Sequence, residues 1–269
     1  MRSKVFCSVA AFFLLIFSLP CHSEQQEGFP FALSPLKDGI LLGAGVALSG
    51  SDLILDNVLE VNRQEYDGKI YSKNDVNSFD RIFMHQYSKS RDTAADVVLV
   101  AAMATPAVLA ATEKREWLTC GVMYAETLLI ANGIKELTKL AVNRTRPYMY
   151  YDAETFPKDD VDEGDWANSF PSGHSTMAFA GATFASYTFW NYFPESKWRI
   201  PVVAGSYGLA CTVAALRLSS GNHFMTDVLT GACIGSAVGF FVPFLHTFNE
   251  QHDVNVSLLA NGVSVAVKF

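Results

Sequence analysis

The sequence predicts an all-α protein: a bundle of six transmembrane helices followed by a small β-hairpin. Half of the 269 residues are apolar, and the mean hydropathy is positive, at +0.18. Several apolar runs approach the roughly 20 residues that a helix needs to cross a bilayer. The C-terminal tail, 250–269, alternates in polarity around Asn261-Gly262, a pair that favours tight hairpin turns.

Residues 1–23 have the pattern of a secretory signal peptide. Two basic residues precede the apolar stretch Val5–Leu19, and small residues before Glu24 permit cleavage there. We therefore expect an exported protein. An extended segment, 24–38, follows, and we expect its portion 29–35 to pair with the C-terminal hairpin as a third strand.

The predicted helical domain covers residues 39–246. Its first apolar run is the weakest candidate for a span, since it contains four glycines, two serines and Asp52. A soluble protein with buried helices is the alternative, because several runs are short for a membrane span. The run ADVVLVAAMATPAVLAA argues against it, since it has no polar face to meet water. The six runs lie at about 39–56, 95–111, 117–134, 175–193, 200–216 and 228–246.

Net charge argues against a nucleic-acid-binding protein, and cysteine spacing argues against a cysteine metal site. A net charge of -7 argues against nucleic acid as a partner, because phosphate neutralisation requires basic patches. Outside the signal peptide, Cys120, Cys211 and Cys233 have no metal-ligand spacing, and we expect them to be buried.

Glu126 lies inside the third apolar run, where a carboxylate is costly unless it is paired or faces a wet cavity.

Polar residues that suit an anion lie at the ends of the apolar runs, in three clusters. Taken singly, each cluster is more simply a helix cap, a solvated face or a core hydrogen bond. Together they supply cations, backbone amides and two histidines, which is the chemistry of a phosphate site. The clusters are Lys139 with Arg146-Pro147, then Pro171-Ser172-Gly173-His174, and then Arg217 with His223 and Asp227.

Spacing predicts how two of these clusters are arranged. Lys139 and Arg146 are seven residues apart, which is two turns on one helix face, and Pro147 marks the helix end. His223 and Asp227 are four apart. If a helix begins near His223, the carboxylate can therefore accept from one ring nitrogen and leave the other as a nucleophile.

The Pro-Ser-Gly-His tetrad predicts an anion site at a helix N-terminus. The N–H groups of Ser172, Gly173 and His174 would face outward at the positive end of the helix dipole. A phosphoryl group carries about -1.5 to -2 charges, which the three predicted cations would balance. We therefore expect no metal ion and no cofactor at this site.

The clusters resemble the type 2 phosphatidic acid phosphatase family, whose pattern is KxxxxxxRP, then PSGH, then SRxxxxxHxxxD. The chain has KLAVNRTRP at 139–147, PSGH at 171–174 and LRLSSGNHFMTD at 216–227. The resemblance spans about 39–246. One departure is Leu216, where the family pattern has serine, and a neighbouring serine would have to replace that hydroxyl.

What the resemblance implies is a membrane phosphatase that hydrolyses a lipid phosphate or pyrophosphate monoester in two steps. His223 is the implied nucleophile that forms a phosphohistidine, and Asp227 is implied to hold its ring. His174 is the implied proton donor to the leaving oxygen. The implied phosphate-binding residues are Lys139, Arg146, Ser172, Gly173 and Arg217.

Three other functions fit the same motifs. A vanadium haloperoxidase uses a nearly identical pocket for vanadate, and a soluble periplasmic acid phosphatase shares the residues. A non-catalytic membrane scaffold that keeps a phosphate-binding pocket is the third. Within the favoured class the substrate stays open among phosphatidate, phosphatidylglycerophosphate, a polyprenyl pyrophosphate and a lipid A phosphate, and the oligomeric state stays open too.

Sidedness follows from conflicting signals. A cleaved signal and six spans would leave the site in the cytoplasm of a bacterial cell, whereas bacterial relatives usually act on the outer side of the cell membrane. The conflict disappears if the run at 39–56 does not fully cross. We expect an extracytoplasmic site, beside the acidic loop Asp152–Asp165.

Overall fold

The computed structural model describes residues 29–57, 64–247, 254–259 and 262–267. The predicted signal peptide, 1–23, lies outside the described residues. Among those described, six helices of 15 to 27 residues form the body of the protein. They are α1 Pro35–Asn57, α2 Lys89–Met103, α3 Glu116–Val142, α4 Gly173–Tyr192, α5 Arg199–Ser219 and α6 Met225–Leu245.

Shorter helical segments connect these six. The segment Thr105–Ala111 extends α2 after a one-residue interruption. The remaining short segments are Lys73–Asp75, Ser78–Arg81, Pro147–Tyr150, Ala153–Thr155, Lys158–Asp162 and Asp165–Ala167.

Three described helices are long and apolar enough to cross a membrane: Lys89–Ala111, Arg199–Ser219 and Met225–Leu245. Large apolar side chains are exposed on all three, including Val100 on α2, Ile200 on α5 and Phe241 on α6, as expected of faces that meet lipid. The six-span count stays a prediction for the other three helices.

Local sequence explains where two of the site-bearing helices begin and end. Ser172 caps α4, with its hydroxyl oxygen accepting from the Ser175 backbone N–H at 3.4 Å. At the end of α3, Asn143 adopts a left-handed conformation with φ of 45°, and its N–H donates to the Lys139 carbonyl. Asparagine tolerates this conformation better than most residues, so α3 stops there.

Close packing of α4 against α6 brings the ends of these helices together. A Cβ added at Gly231 would lie 2.5 Å from the Ser172 carbonyl oxygen, and one at Gly239 would lie 2.6 Å from that of Ala180. Both contacts advance by eight residues, so the two helices run parallel, and only glycine permits this approach. The N-termini of α4 and α6 therefore lie side by side.

Helix α4 occupies the centre of the bundle, where it contacts α2, α3, α5 and α6. Helix α1 packs on α3. Because α5 returns the chain between α4 and α6, its C-terminus reaches the end of the bundle where α4 and α6 begin. The clusters at the start of α4 and between α5 and α6 are thereby placed at one end, and the segment of Arg146 joins them because its neighbour Arg144 bonds to Asp227.

The C-terminal tail contains two antiparallel strands, β1 Val254–Leu259 and β2 Gly262–Val267, with Val254 opposite Val267. The prediction that residues 29–35 pair with this hairpin as a third strand is wrong. Phe31 forms an isolated bridge with Thr247 instead, because the N-terminal segment runs across the C-terminal end of α6.

The cysteine prediction is correct for one residue. Cys120 is buried in α3, whereas Cys211 and Cys233 are exposed. The latter two lie on outward faces of α5 and α6, so their apolar surroundings in sequence did not imply burial in the fold.

Candidate active site

His223 lies in the turn between α5 and α6, and its side chain is buried. Its Nδ1 is 2.7 Å from the carbonyl oxygen of Ser169. Since a carbonyl only accepts, Nδ1 carries the proton and Nε2 keeps its lone pair. The ring is thus held in the tautomer that leaves Nε2 available as a nucleophile.

The predicted hydrogen bond between His223 and Asp227 is absent from this arrangement. Helix α6 begins at Met225, later than predicted, and the nearest Asp227 oxygen is 3.7 Å from Nδ1. Asp227 Oδ2 accepts instead from the Ser169 hydroxyl at 2.6 Å and the Phe224 N–H at 2.8 Å. Asp227 therefore fixes the two segments that hold the imidazole, and acts on the ring only through them.

A buried ion pair supports Asp227 from behind. Arg144 bonds to Asp227 Oδ1 and, at 2.7 Å, to Asp80 Oδ2. Asp80 also accepts from the Thr226 N–H at 2.9 Å. Burial alone would raise the pKa of Asp80, but hydrogen bonds from Arg144, Asn77 and Thr226 outweigh it and lower that pKa. The start of α6 is thereby tied to the short helix Ser78–Arg81.

Two predicted guanidinium groups are buried at the site. Arg146 donates to Asp165 Oδ2 at 2.7 Å and to Asn222 Oδ1 at 3.0 Å. Arg217 Nη1 bonds to Asp92 Oδ1. Within the described part of the chain, Arg217 Nε is buried without a hydrogen-bond partner, so Arg217 retains an unsatisfied donor.

The structure corrects the predicted placement of Lys139 and Arg146 on one helix face. Helix α3 ends at Val142, and Arg146 follows in an extended conformation. Lys139 stays on the last turn of α3, where its Nζ is 3.4 Å from Glu136. The left-handed Asn143 breaks the helix before the second turn is complete.

His174 lies in the first turn of α4. Its Nε2 is 2.7 Å from Asp96 Oδ1 on α2. The three sequence motifs indicate no partner for this histidine. Asp92 and Asp96 are four residues apart near the start of an apolar run, and that spacing is the signal that would have found them.

The predicted row of outward-facing amides at the start of α4 needs correction. The Ser172 N–H donates to the Asp227 carbonyl at 3.0 Å, because α4 and α6 begin side by side. Gly173 packs against a lysine that the motifs did not include: a Cβ added there would lie 3.5 Å from Lys135 Cε.

Neither Ser219 nor Ser220 replaces the hydroxyl lost at Leu216. Ser219 Oγ donates to the Leu216 carbonyl, and Ser220 Oγ donates to that of Arg217. Both hydroxyls therefore serve the end of α5, and neither donates to a phosphate in this arrangement.

Residues from all three predicted clusters influence the pKa of His223. Its pKa lies well below 6.5, first because the ring is buried and then because Arg217, Arg146, His174 and Lys139 add positive charge near it. A neutral imidazole with a free Nε2 thus sits among cationic groups. Such a site can attract an anion and attack it.

Comparison with known proteins matches residues 121–251 to the PAP2 superfamily. A PA-phosphatase related-family protein of Dictyostelium discoideum is 30% identical over 140 residues, 48% of this chain and 49% of that protein. A lipid A 1-phosphatase of Rhizobium johnstonii is 31% identical over 110 residues, 41% of each chain. The chain thus spans about half the length, or less, of these curated relatives.

One solved structure is also similar. It is the crystal structure of a transmembrane PAP2 type phosphatidylglycerolphosphate phosphatase from Bacillus subtilis. The alignment covers 78% of this chain and 92% of that chain, at 21% identity and a TM-score of 0.37.

Proposed function

We propose that this chain, which matches the PAP2 superfamily over residues 121–251, is a membrane phosphatase that hydrolyses a lipid phosphate or pyrophosphate monoester without a metal ion. The observation that carries the proposal is the environment of His223. Its Nδ1 is fixed by the Ser169 carbonyl, and burial together with nearby positive charge lowers its pKa. That environment suits a nucleophile for an anionic phosphorus centre.

In the first step, His223 Nε2 attacks phosphorus. An N–P bond forms while the P–O bond to the lipid alcohol breaks, which gives a phosphohistidine. The lone pair is available at neutral pH because the ring is neutral. Asp227 contributes by holding Ser169 and the Phe224 N–H, which position the imidazole.

His174 supplies the proton that the leaving oxygen takes up. Its Nε2 is bonded to Asp96, so the other ring nitrogen, Nδ1, is the atom that donates. Burial lowers the pKa of His174 and the hydrogen bond to Asp96 only partly opposes it, so the charge of the arriving phosphate is needed to favour the protonated imidazole. In the second step the same nitrogen accepts a proton from water, which attacks phosphorus, breaks the N–P bond and releases inorganic phosphate.

The cations bind the equatorial oxygens of the phosphoryl group. Arg217 Nε is a buried donor without a partner among the described residues, and an oxygen of the substrate would satisfy it. Arg146 and Lys139 add charge while carboxylates hold their side chains in place. Donors fixed in advance stabilise the charge that redistributes in the transition state.

A lipid substrate is supported by the position of the site and by the relatives. The site lies at one end of helices that are long and apolar enough to cross a membrane, within reach of a head group at the bilayer surface. One relative is a lipid A 1-phosphatase, and we include lipid A phosphate among the candidate substrates.

The test is phosphate release by detergent-purified protein from phosphatidate, phosphatidylglycerophosphate, a polyprenyl pyrophosphate and lipid A. We expect His223→Ala to lose activity by at least about 10³-fold, and His174→Ala by about 10²–10⁴-fold. His85→Ala changes an exposed histidine outside the site and is the matched control.

Two outcomes would contradict the proposal. If His223→Ala and the wild type release phosphate equally, His223 is not the nucleophile. If vanadate addition produces halide oxidation while no phosphate ester is hydrolysed, the pocket is that of a haloperoxidase.

We propose in addition that the catalytic end faces the outside of the cell membrane. The acidic loop lies at this end, and Asp159 in it is exposed. An Asp159→Cys variant in intact cells should react with a membrane-impermeant thiol reagent. Labelling only after the cells are permeabilised would place the site in the cytoplasm.

A further inference from the structure

Three metal-ligating side chains meet at the end of the bundle opposite to His223. Asp38 comes from the first turn of α1, Glu126 from α3 and His246 from the residue that caps α6. One ligand atom of each lies within 4.8 Å of the other two, and all three residues are buried. His246 follows Asp227 by 19 residues, so the cluster is roughly 30 Å from the catalytic end along α6.

The imidazole of His246 is oriented as a metal ligand is. Its Nδ1 is 2.8 Å from the Val242 carbonyl oxygen, which fixes the proton on Nδ1. Its Nε2 faces Asp38 Oδ1 at 2.8 Å and Glu126 Oε2 at 3.3 Å. A ring N–H bonded to a backbone carbonyl, with the other nitrogen facing the ion, is the usual arrangement of a ligating histidine.

Asp38 is held through one carboxylate oxygen, which leaves the other facing His246. Its Oδ2 accepts from the Ser34 backbone N–H at 2.7 Å. Its Oδ1 points to His246. The neighbouring Lys37 is occupied elsewhere, because its Nζ donates to the Leu245 and Ala32 carbonyls.

Glu126 is the observation that points to a bound cation. Its side chain is fully buried, and among the described residues neither of its oxygens has a hydrogen-bond partner. A proton on His246 Nε2 would serve Asp38 and still leave both Glu126 oxygens without a donor. Burying such a carboxylate is costly unless it is paired or coordinates a metal.

We propose that Asp38, Glu126 and His246 form a binding site for one divalent metal ion of the zinc class. One imidazole nitrogen with two carboxylates suits Zn²⁺, and also Mn²⁺ or Fe²⁺. The ion replaces the missing donor for Glu126 and accepts the Nε2 lone pair. Water can complete its coordination.

The ion has a structural role, separate from phosphate chemistry. It joins α1, α3 and the end of α6, and thereby fixes the N-terminal segment that crosses α6 through the Phe31–Thr247 bridge. Because no such site exists in the unfolded chain, metal binding stabilises the folded state.

The test starts with metal content. Full-length wild-type protein, purified in detergent without chelators, is stripped with a chelator and then incubated with Zn²⁺. We expect about one bound ion per chain by elemental analysis, and a higher unfolding temperature than for the stripped protein. Both effects should be lost in Glu126→Gln and in His246→Gln.

The matched control is Glu116→Gln. Glu116 is another buried carboxylate of α3, but the Tyr192 hydroxyl donates to it at 2.9 Å, so it needs no ion. This variant should bind Zn²⁺ as the wild type does. Because Gln variants can misfold, Co²⁺ absorption spectra of the wild type give a second readout, since ligand-field bands report nitrogen and oxygen ligands directly.

Two results would overturn the proposal. One is a wild type that binds none of Zn²⁺, Mn²⁺, Fe²⁺ or Co²⁺ and whose unfolding temperature does not change, which would indicate a cluster that shares protons instead. The other is undiminished binding in Glu126→Gln and His246→Gln.

Discussion

The two ends of the helix bundle leave opposite kinds of buried charge unsatisfied. Among charged side chains of the described residues, the buried atom without a partner at the His223 end is a donor, Arg217 Nε, and at the opposite end the atoms are acceptors, both oxygens of Glu126. Within the described residues, no other charged side chain has a fully buried nitrogen or oxygen atom that lacks a hydrogen bond.

The sign of the missing partner indicates the kind of ligand at each end. A buried guanidinium donor is satisfied by an anion, whereas buried carboxylate oxygens and an imidazole lone pair are satisfied by a cation. One end therefore suits an anionic substrate that arrives and leaves. The other suits an ion that stays and holds three helices together.

The largest effect in this comparison is expected from Arg217. Arg217→Lys keeps the positive charge but removes Nε and the planar fork, so we expect kcat to fall by about 10²–10³-fold. Arg115→Lys changes an exposed arginine paired with Glu113 and should have no effect. The measurement is steady-state phosphate release with the best lipid substrate.

Activity of Arg217→Lys equal to that of the wild type would contradict this prediction. It would mean that charge alone binds the substrate. The unsatisfied Nε of Arg217 would then have no part in phosphate binding.

A second prediction concerns pH. Because burial and nearby cations hold the pKa of His223 well below 6.5, its imidazole stays neutral as the pH falls through the range where an ordinary imidazole takes up a proton. The acid limb of kcat/KM should therefore lie below pH 6.5, after correction for the ionisation of the substrate phosphate, whose second pKa is about 6.

Lys139→Gln tests whether the charge of Lys139 contributes to the low pKa of His223. Removing one of the positive charges near His223 should raise its pKa and move the acid limb towards higher pH. A limb in the wild type at or above pH 6.5, or one that stays in place in Lys139→Gln, would show that these cations do not control His223.

The smallest effect on catalysis is expected from the metal-binding end. Glu126→Gln should keep kcat/KM within about twofold of the wild type, because the site is roughly 30 Å from His223 along α6. EDTA should likewise leave the initial rate unchanged while it lowers the unfolding temperature. An immediate loss of activity on chelation, restored by Zn²⁺, would show that the two ends are not separate.

The residues at the His223 end of the bundle could be predicted from the sequence because they occur in short patterns with fixed spacing. Lys139, His174 and Arg217 could be placed near helix ends from apolar runs and prolines alone. Family matching over 121–251 covers the same positions. The helical class followed from the same apolar runs, since a run without a polar face has to be buried or face lipid.

What the sequence did not predict depends on packing between distant segments. The partner of His223 is a backbone carbonyl, Ser169, which has no side-chain signal. Asp96 reaches His174 only because α2 packs against α4. Arg144 lies within the first motif, but its role needs Asp80, 64 residues earlier in the chain.

The metal-binding cluster was hidden for the same reason. Glu126 was recognised as costly in an apolar run, but its neighbours Asp38 and His246 are 208 residues apart. No short spacing joins them. They meet because the N-terminal segment crosses the end of α6.

The most direct test of the account is to trap the phosphorylated enzyme. His174→Ala, given ³²P-labelled p-nitrophenyl phosphate, whose leaving group needs no proton, should accumulate label that survives an alkaline quench and is lost in acid, as expected of a phosphohistidine. Peptide mapping should place that label on His223, and none should appear in His174→Ala combined with His223→Ala. Turnover of this substrate without any labelled enzyme, or label on another residue, would contradict nucleophilic attack by His223.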